Sequence, residues 1–218
     1  MIKIYGAKAF RPELKGAIRD IRPIWLLEEL GVPYERIALD PTKGENKTPE
    51  YLKLNPTGKV PTLVDGITVL FESALICEYL AEKNKELMPP PGTEKSYKCR
   101  QWNYWCATNL EIQTSRLFGA DFFLDKGATA DEIAEMALST LPRFLNPLEE
   151  RLAQQKFMLG DAFSVTDIFV TCALYVVKHR PLLNDYPALK MHYETCTARP
   201  AFQKALMVNG EDASKTGN

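Results

Sequence analysis

Two short polar features lie close together in residues 55–83, which read "NPTGKVPTLVDGITVLFESALICEYLAEK". The first is the Val60-Pro61 dipeptide, at the start of a strand pattern. Because proline has no N–H to donate to a sheet ladder, it frees the backbone of Val60 from strand pairing. With a cis Val60–Pro61 bond, the amide and carbonyl of Val60 would face outward and could bind an extended peptide as a neighbouring strand does. The alternative is that Pro61 only protects a sheet edge.

The second feature is the Glu72-Ser73 pair, where the next strand pattern gives way to a helix pattern. The first turn of a helix carries free N–H groups and the positive end of the helix dipole. A carboxylate could therefore dock on the Ser73 amide and hydroxyl while Glu72 holds a neighbouring ammonium. The alternative is that Ser73 is a helix N-cap without a ligand. A ligand that combines a peptide backbone with an amino-acid head group would use both features.

The elements that must position these residues form a small mixed sheet with helices. Strand patterns at residues 2–5 and 34–39 flank the helix pattern "PIWLLEELG", and this order implies a parallel crossover. Two further strand patterns, "PTLVD" and "ITVL", meet at the Asp65-Gly66 turn, which predicts an antiparallel hairpin. A helix pattern follows over residues 73–84.

The second half of the chain has no convincing strand pattern. The proline-rich stretch "NKELMPPPGTEK" interrupts the sequence, and from Lys95 onward the apolar residues follow helical spacing. Pro142 and Pro147 are expected to bend or break one of these helices. We therefore predict an α/β domain joined to an all-helical one.

Composition excludes several classes of protein. Of the 218 residues, 45% are hydrophobic and 25% are charged, and the formal net charge of −1 gives no overall attraction to nucleic acid or acidic lipid. Five cysteines without a CxxC pair argue against a disulfide framework or a zinc site and favour a reducing compartment. The start, "MIKIYGAKAF", lacks the apolar core of a signal peptide. We expect a cytoplasmic protein that needs no metal and binds neither nucleic acid nor membrane.

The segments "NPTGKVPTL" and "FESALICEYL" resemble the signature of the cytosolic glutathione S-transferases. The resemblance covers nearly the whole chain, because "KIYG", "LLEELGVPYE" and "FMLGDAFSVTDIFV" also fall in the family's order. It implies a thioredoxin-like domain over residues 1–85, a linker over 86–92 and an all-α substrate and dimerisation domain over 93–218. The implied protein is a cytoplasmic homodimer of bacterial type that serves in detoxification.

The resemblance also assigns a glutathione site. It implies that Val60 pairs with the cysteinyl backbone of glutathione, with cis Pro61 behind it, and that Glu72 and Ser73 take the γ-glutamyl group. A lysine of the preceding loop would meet the glycine carboxylate, and the candidates are Lys43, Lys47 and Lys59. Glutathione is the co-substrate in this reading.

Such an enzyme must favour the thiolate of glutathione. A free thiol has a pKa of about 8.5, and lowering it by two units needs about 2.7 kcal/mol of anion stabilisation. The family usually provides a serine or a cysteine in the loop after the first strand, but "GAKAFRPELKGAIRDIRP" has no Ser, Thr or Cys. A cysteine-based reductase is therefore disfavoured.

Three kinds of group remain as candidates for the thiolate donor. Tyr5 ends the first strand pattern and matches the catalytic tyrosine of many animal enzymes in the family, although a packing role is the alternative. Arg19 and Arg22 lie where the first helix should begin, and Arg11 is less well placed. The third possibility is the backbone N–H groups around Ala17 and Ile18, and these alternatives stay open.

The helical half supplies the remaining candidates. In the family the second substrate lies against the first helix of this half, which here carries "QWNYWC", so Trp102, Tyr104 and Trp105 are candidates for an aromatic or apolar pocket. A core or dimer-interface role is the alternative. Ser164 and Asp167 have the spacing of a capping box and a structural role.

The leading hypothesis is an enzyme that adds the glutathione thiolate to an electrophilic, hydrophobic or aromatic substrate. A second hypothesis is a non-catalytic module of the same fold that binds glutathione or docks on a protein. A third is a glutathione-dependent peroxidase, isomerase or ether-cleaving enzyme. No arrangement of residues supports a hydrolase or a nucleic-acid-binding protein.

Overall fold

The computed structural model describes residues 1–210. Its contacts divide the chain into two compact units, one formed by Met1–Glu86 together with the C-terminal segment from Arg199, the other by Leu87–Ala198. The division falls at the start of the predicted linker, residues 86–92. Residues 211–218, which the predicted helical domain included, lie outside the described part of the chain.

The first unit contains the predicted four-stranded mixed sheet. Its elements are β1 (Ile2–Ala7), α1 (Ile21–Leu30), β2 (Tyr34–Leu39), α2 (Pro49–Leu54), β3 (Thr62–Asp65), β4 (Thr68–Phe71) and α3 (Ser73–Asn84). The strand order is β2-β1-β3-β4, with β1 and β2 parallel and the other two pairs antiparallel. The α/β fold class of this half is therefore confirmed. The bounds of four elements differ from the sequence prediction: β1 extends to Ala7, α1 begins two residues before Pro23, and β3 and β4 each begin one residue after the start of their patterns.

Strand register determines which residues reach one edge of the sheet. Tyr5 of β1 pairs with Thr62 of β3, and Thr62 pairs in turn with Phe71 of β4. These three residues form a row across the sheet, so the end of β1, the start of β3 and the end of β4 lie at the same edge. The alternate residues Ile2 and Ile4 of β1 are buried, as a strand with one face on a core requires.

The second unit is entirely helical, as predicted. Its helices are α4 (Glu94–Trp105), α5 (Glu111–Phe122), α6 (Ala128–Thr140), α7 (Pro142–Leu152), α8 (Val165–Tyr175) and α9 (Pro187–Thr197). One π-helical turn, Cys106–Leu110, joins α4 to α5. Pro142 occupies the first position of α7, where its missing N–H costs nothing, whereas Pro147 lies inside that helix and does not end it.

The predicted capping box fixes the start of α8. The buried Asp167 carboxylate accepts 2.8 Å hydrogen bonds from the Ser164 N–H and from the Ser164 hydroxyl. Its second oxygen accepts hydrogen bonds of 2.8 Å from the Met158 N–H and from Nε2 of His192. This carboxylate therefore joins the chain before α8 to helix α9, which explains a structural role for the motif.

The last helix, α10 (Pro200–Gly210), groups with the first unit, although the predicted helical domain contained it. The reason is its buried face, since the Phe202 ring packs edge-on against Trp25 of α1 at a centroid distance of 4.7 Å. Arg199 holds the Glu29 carboxylate through two hydrogen bonds of 2.6 and 2.7 Å. None of the helices within residues 1–210 is long and apolar enough to cross a membrane.

Candidate functional site

The turn before β3 presents the main chain of Val60. The Val60–Pro61 bond is cis. Among residues 1–210, neither the N–H nor the C=O of Val60 makes a hydrogen bond to another group of the protein. A donor and an acceptor on one residue are thus available to an extended ligand at the sheet edge.

Two buried side chains hold the turn on both sides of Val60. The Tyr51 hydroxyl donates to the Lys59 carbonyl at 2.5 Å and lies 2.8 Å from Oγ1 of Thr62. Nδ2 of Asn55 donates to the same two oxygens, at 2.8 and 3.1 Å. Burial raises the pKa of Tyr51, so this hydroxyl stays a neutral donor. The position of Val60 is therefore set by residues of the "NPTGKVPT" segment together with α2.

The start of α3 provides the second part of the site. Ser73 is the first residue of the helix and Glu72 is the cap residue, so the reading of Ser73 as N-cap is wrong by one position. The reason is the backbone of Glu72, whose φ of +74° lies outside the helical region. Such a conformation is unfavourable for a residue with a side chain and is found mostly at functional sites. The Glu72 side chain is exposed.

Arg22 of α1 is directed at this helix start. Its Nη1 donates to the Ser73 hydroxyl at 3.0 Å, and both side chains are buried. The guanidinium therefore brings positive charge to the start of α3, where an anion would dock. The sequence suggested Arg22 as a cation for the thiolate, and in the structure its guanidinium contacts Ser73, a predicted ligand of the γ-glutamyl group. Its role toward sulfur stays a prediction.

The loop lysines differ in their placement. Nζ of Lys47 lies 3.4 Å from the Thr57 carbonyl, beside the turn that leads to Val60. Lys43 lies 3.7 Å from the Asp40 carboxylate in a separate turn. The Lys59 side chain is exposed, and its carbonyl is the group that the Tyr51 hydroxyl holds. Lys47 is the best placed of the three to meet a carboxylate next to the Val60 backbone.

The candidate thiolate donors lie at the same sheet edge or in the loop that follows β1. Tyr5 stands two residues before the strand ends, and its ring packs against the Tyr51 ring at 5.7 Å. In the loop, the Ala17 N–H donates a hydrogen bond to the Leu14 carbonyl at 2.9 Å. The Ile18 N–H has no acceptor among residues 1–210, so it is available to a ligand. Arg19 is exposed one residue further on.

Sequence reasoning missed a buried carboxylate at the start of α1. Asp20 is fully buried, and Oδ2 accepts a 3.1 Å hydrogen bond from Nε of Arg36. Nδ2 of Asn209 donates to Oδ1 at 3.0 Å. Burial raises the pKa of Asp20 to about 6, against the effect of Arg36. An aspartate before an apolar helix is typical of an N-cap, and no local sequence signal distinguishes an exposed N-cap aspartate from a buried aspartate.

The aromatic residues of α4 are divided between packing and exposure. The rings of Trp102 and Trp105 meet edge-on at 5.2 Å, and Trp105 also contacts Phe144 of α7 at 6.2 Å. The Arg151 guanidinium lies over Trp102 at 5.3 Å. Tyr104, by contrast, is 48% exposed. The two tryptophans contribute to packing within the helical unit, and a substrate role for the three residues stays a prediction.

Within the described range, no group of three or more His, Cys, Asp or Glu side chains is arranged to hold a metal ion. The five cysteines are free and buried, so none offers an exposed nucleophile. The chemistry of the first unit therefore rests on main-chain groups, a helix start and one buried guanidinium. Such a set is suited to a small peptide that offers its backbone and one anionic end.

Comparisons with known proteins agree with this class. The model of the glutathione S-transferase N-terminal domain matches residues 14–82, and that of the C-terminal domain matches residues 130–195. A probable glutathione S-transferase, GSTF2, from Oryza sativa subsp. japonica is 36% identical over 193 residues, covering 84% of this chain and 88% of the relative. Glutathione S-transferase 1 from Zea mays is 34% identical over 196 residues, covering 83% and 88%.

A solved structure gives the same result. A glutathione transferase from Burkholderia graminis, with two glutathione molecules bound per subunit, superposes with a TM-score of 0.83 and 26% identity. The match covers 94% of this chain and 87% of that protein. This chain belongs to the glutathione S-transferase family, a family of enzymes with a thioredoxin-like and a helical domain.

Proposed function

We propose that this protein binds glutathione and adds its thiolate to an electrophilic, hydrophobic or aromatic substrate. The observation that carries the proposal is that the same domain has both an available Val60 backbone and an Arg22–Ser73 hydrogen bond of 3.0 Å. The first can pair with the cysteinyl peptide unit, and the second can bind the γ-glutamyl carboxylate at the start of α3. Glu72 would hold the ammonium group, and Lys47 or Lys59 the glycine carboxylate.

The thiolate would be stabilised by a hydrogen bond from the loop or from the sheet edge. The Ile18 N–H is the strongest candidate, because it is available and precedes helix α1. The Tyr5 hydroxyl is the second candidate, and Arg19 or Arg22 would act by charge. Because no Ser, Thr or Cys lies between Gly6 and Pro23, a backbone N–H or an arginine must stabilise the thiolate if Tyr5 does not contribute.

The remaining features of the proposal concern partners and location. Exposed apolar side chains on β4, its turn and α3 favour a homodimer that covers them, and these are Ile67, Val69 and Leu75. The five free thiols favour a reducing, cytoplasmic location. The second substrate is expected to contact α4, where Tyr104 is the exposed aromatic residue.

The test combines binding with sulfur ionisation. Calorimetry with glutathione should show binding, and the ultraviolet absorbance of the bound thiolate, followed against pH, should show a thiol pKa below its free value. Conjugation of an aromatic halide should follow the same ionisation. Tyr5→Phe separates the donors, because an unchanged thiol pKa assigns the role to the Ile18 N–H or the arginines. Binding without thiolate formation would instead support a non-catalytic module, and absence of binding would overturn the proposal.

A further inference from the structure

One side chain of the C-terminal helix bridges both ends of the loop segment Gly16–Asp20. Oδ1 of Asn209 accepts a 2.7 Å hydrogen bond from the Gly16 N–H, and Nδ2 of the same amide donates to Oδ1 of Asp20 at 3.0 Å. Asn209, Gly16 and Asp20 are all buried. A buried amide that is satisfied in this way stabilises one arrangement of the groups around it.

Helix α10 is in turn firmly attached to α1. Phe202 and Asn209 share the buried face of α10, and Phe202 packs against Trp25. At the other end of the helix, Arg199 forms a two-bond ion pair with Glu29. The position of the Asn209 amide is therefore determined by packing over the length of the helix.

The far end of the segment is tied to the sheet. Nε of Arg36, on β2, donates to Asp20 at 3.1 Å, and Nη2 of the same guanidinium donates to the Ala7 carbonyl at 2.8 Å. Gly6 allows this approach, because a Cβ at that position would lie 1.9 Å from Oδ2 of Asp20. Asp20 thus links α10, β1 and β2 at the point where α1 begins.

We infer that Asn209 is a positioning residue for thiolate stabilisation, acting through the segment Gly16–Asp20. The inference rests on the proposed function, in which the Ile18 N–H faces the glutathione sulfur. Ile18 lies midway between the two residues that Asn209 holds. A backbone N–H cannot change its direction by rotating a side chain, so its alignment with the sulfur depends on the anchors of the loop. A small displacement of a donor is costly for catalysis.

The experiment compares Asn209→Ala with Met207→Ala, a control on the same helix at a side chain that is 62% exposed. For each variant and the wild type, calorimetry gives the glutathione Kd, thiolate absorbance gives the pKa of the bound thiol, and conjugation kinetics give kcat and KM against pH. We expect Asn209→Ala to keep the glutathione Kd within about twofold, because the Val60 and Ser73 contacts are intact. The thiol pKa should rise and kcat near neutral pH should fall by about tenfold, with recovery at alkaline pH. Met207→Ala should match the wild type.

A kcat that falls equally at all pH values, or a thiol pKa unchanged in Asn209→Ala, would overturn the inference while leaving the proposed function intact. A wild-type protein that binds glutathione without forming a thiolate would overturn both. Amide hydrogen exchange in the wild type provides a measurement that needs no variant. We expect slow exchange at Gly16 and fast exchange at Ile18 in the free protein, and fast exchange at Gly16 would contradict the bridging role of Asn209.

Discussion

The buried carboxylate at the start of α1 predicts an unusual pH dependence of stability. Burial raises the pKa of Asp20 from 3.8 to about 6 in the folded protein. The folded state therefore binds this proton more tightly than the unfolded chain does. The stabilising contribution of the protonated form is fully present below the unfolded pKa of 3.8 and is lost as the pH rises through 6.

The magnitude follows from the two pKa values. A rise from 3.8 to about 6 corresponds to about 3 kcal/mol of folding free energy between the acid and alkaline limits. Over the practical range from about pH 4 to about pH 7.5, the same values give a loss of about 2 kcal/mol. Because Asp20 is fully buried, solvent screening does not reduce this figure.

The assay compares the wild type with Asp20→Asn, which cannot ionise. Free energies of unfolding come from urea transitions measured at several pH values and at one protein concentration, since dimer formation would otherwise shift them. The variant is destabilised by an amount that does not change with pH, because the NH₂ group of its side-chain amide must face a donor of Arg36 or Asn209. All other titrating groups are common to both proteins and cancel in the difference.

The stability advantage of the wild type over Asp20→Asn should therefore shrink by about 2 kcal/mol as the pH rises from about 4 to 7.5. A difference that stays constant with pH would mean that the folded carboxyl has an ordinary pKa. A difference that grows with pH would mean that the Arg36 ion pair outweighs burial. Either result would refute the reasoning about Asp20.

Three further predictions concern the proposed glutathione site and the helical unit. Arg22→Ala and Ser73→Ala should each weaken glutathione binding by about tenfold, as measured by calorimetry. The double variant should bind little worse than either single variant, because the two groups act through one charged hydrogen bond. Additive losses of binding free energy would contradict this coupling. Gly58→Ala should lower the free energy of unfolding in urea by about 1–3 kcal/mol, because its φ is +62° and a Cβ would lie 2.9 Å from a backbone carbonyl. Gly66→Ala, with a φ of +61° and open space around it, should cost less, and equal losses would contradict the steric explanation. Asp167→Asn should cost about 3 kcal/mol in urea unfolding, whereas the same change at an exposed aspartate should cost almost nothing.

Features that depend on neighbouring residues could be predicted from the sequence. The Asp65-Gly66 hairpin and the Ser164–Asp167 capping box are local hydrogen-bond patterns, and the structure contains both. The residues alone left the cis bond before Pro61 open, the resemblance to the family implied it, and the structure contains it. The observed bounds of β1 and α1 differ from the predicted ones by two residues. For β1 the reason is its pairing with β2, which extends the strand to Ala7.

Features that depend on distant residues could not be predicted. The partner of Arg22 lies 51 positions away in the sequence, and the partner of Gly16 lies 193 positions away. The last helix carries the apolar spacing of any amphipathic helix, and nothing in that spacing shows that it packs on α1. The burial of Asp20 results from three elements that meet only in the folded chain.

These distant contacts bear on the missing hydroxyl. A serine or tyrosine donor can adjust its rotamer to a sulfur atom, whereas the Ile18 N–H points where the loop backbone directs it. The thirteen residues between β1 and α1 contain a short 3₁₀ turn, Pro12–Leu14, and two backbone hydrogen bonds beside Ile18, from the Ala17 N–H to the Leu14 carbonyl at 2.9 Å and from the Ile21 N–H to the Ile18 carbonyl at 3.1 Å. Anchors outside the loop fix these turns relative to the rest of the unit, and the Asn209 amide and the Asp20–Arg36 ion pair are two such anchors. In the proposed mechanism, in which the Ile18 N–H is the thiolate donor, the alignment of that donor therefore depends on the C-terminal helix of the same unit.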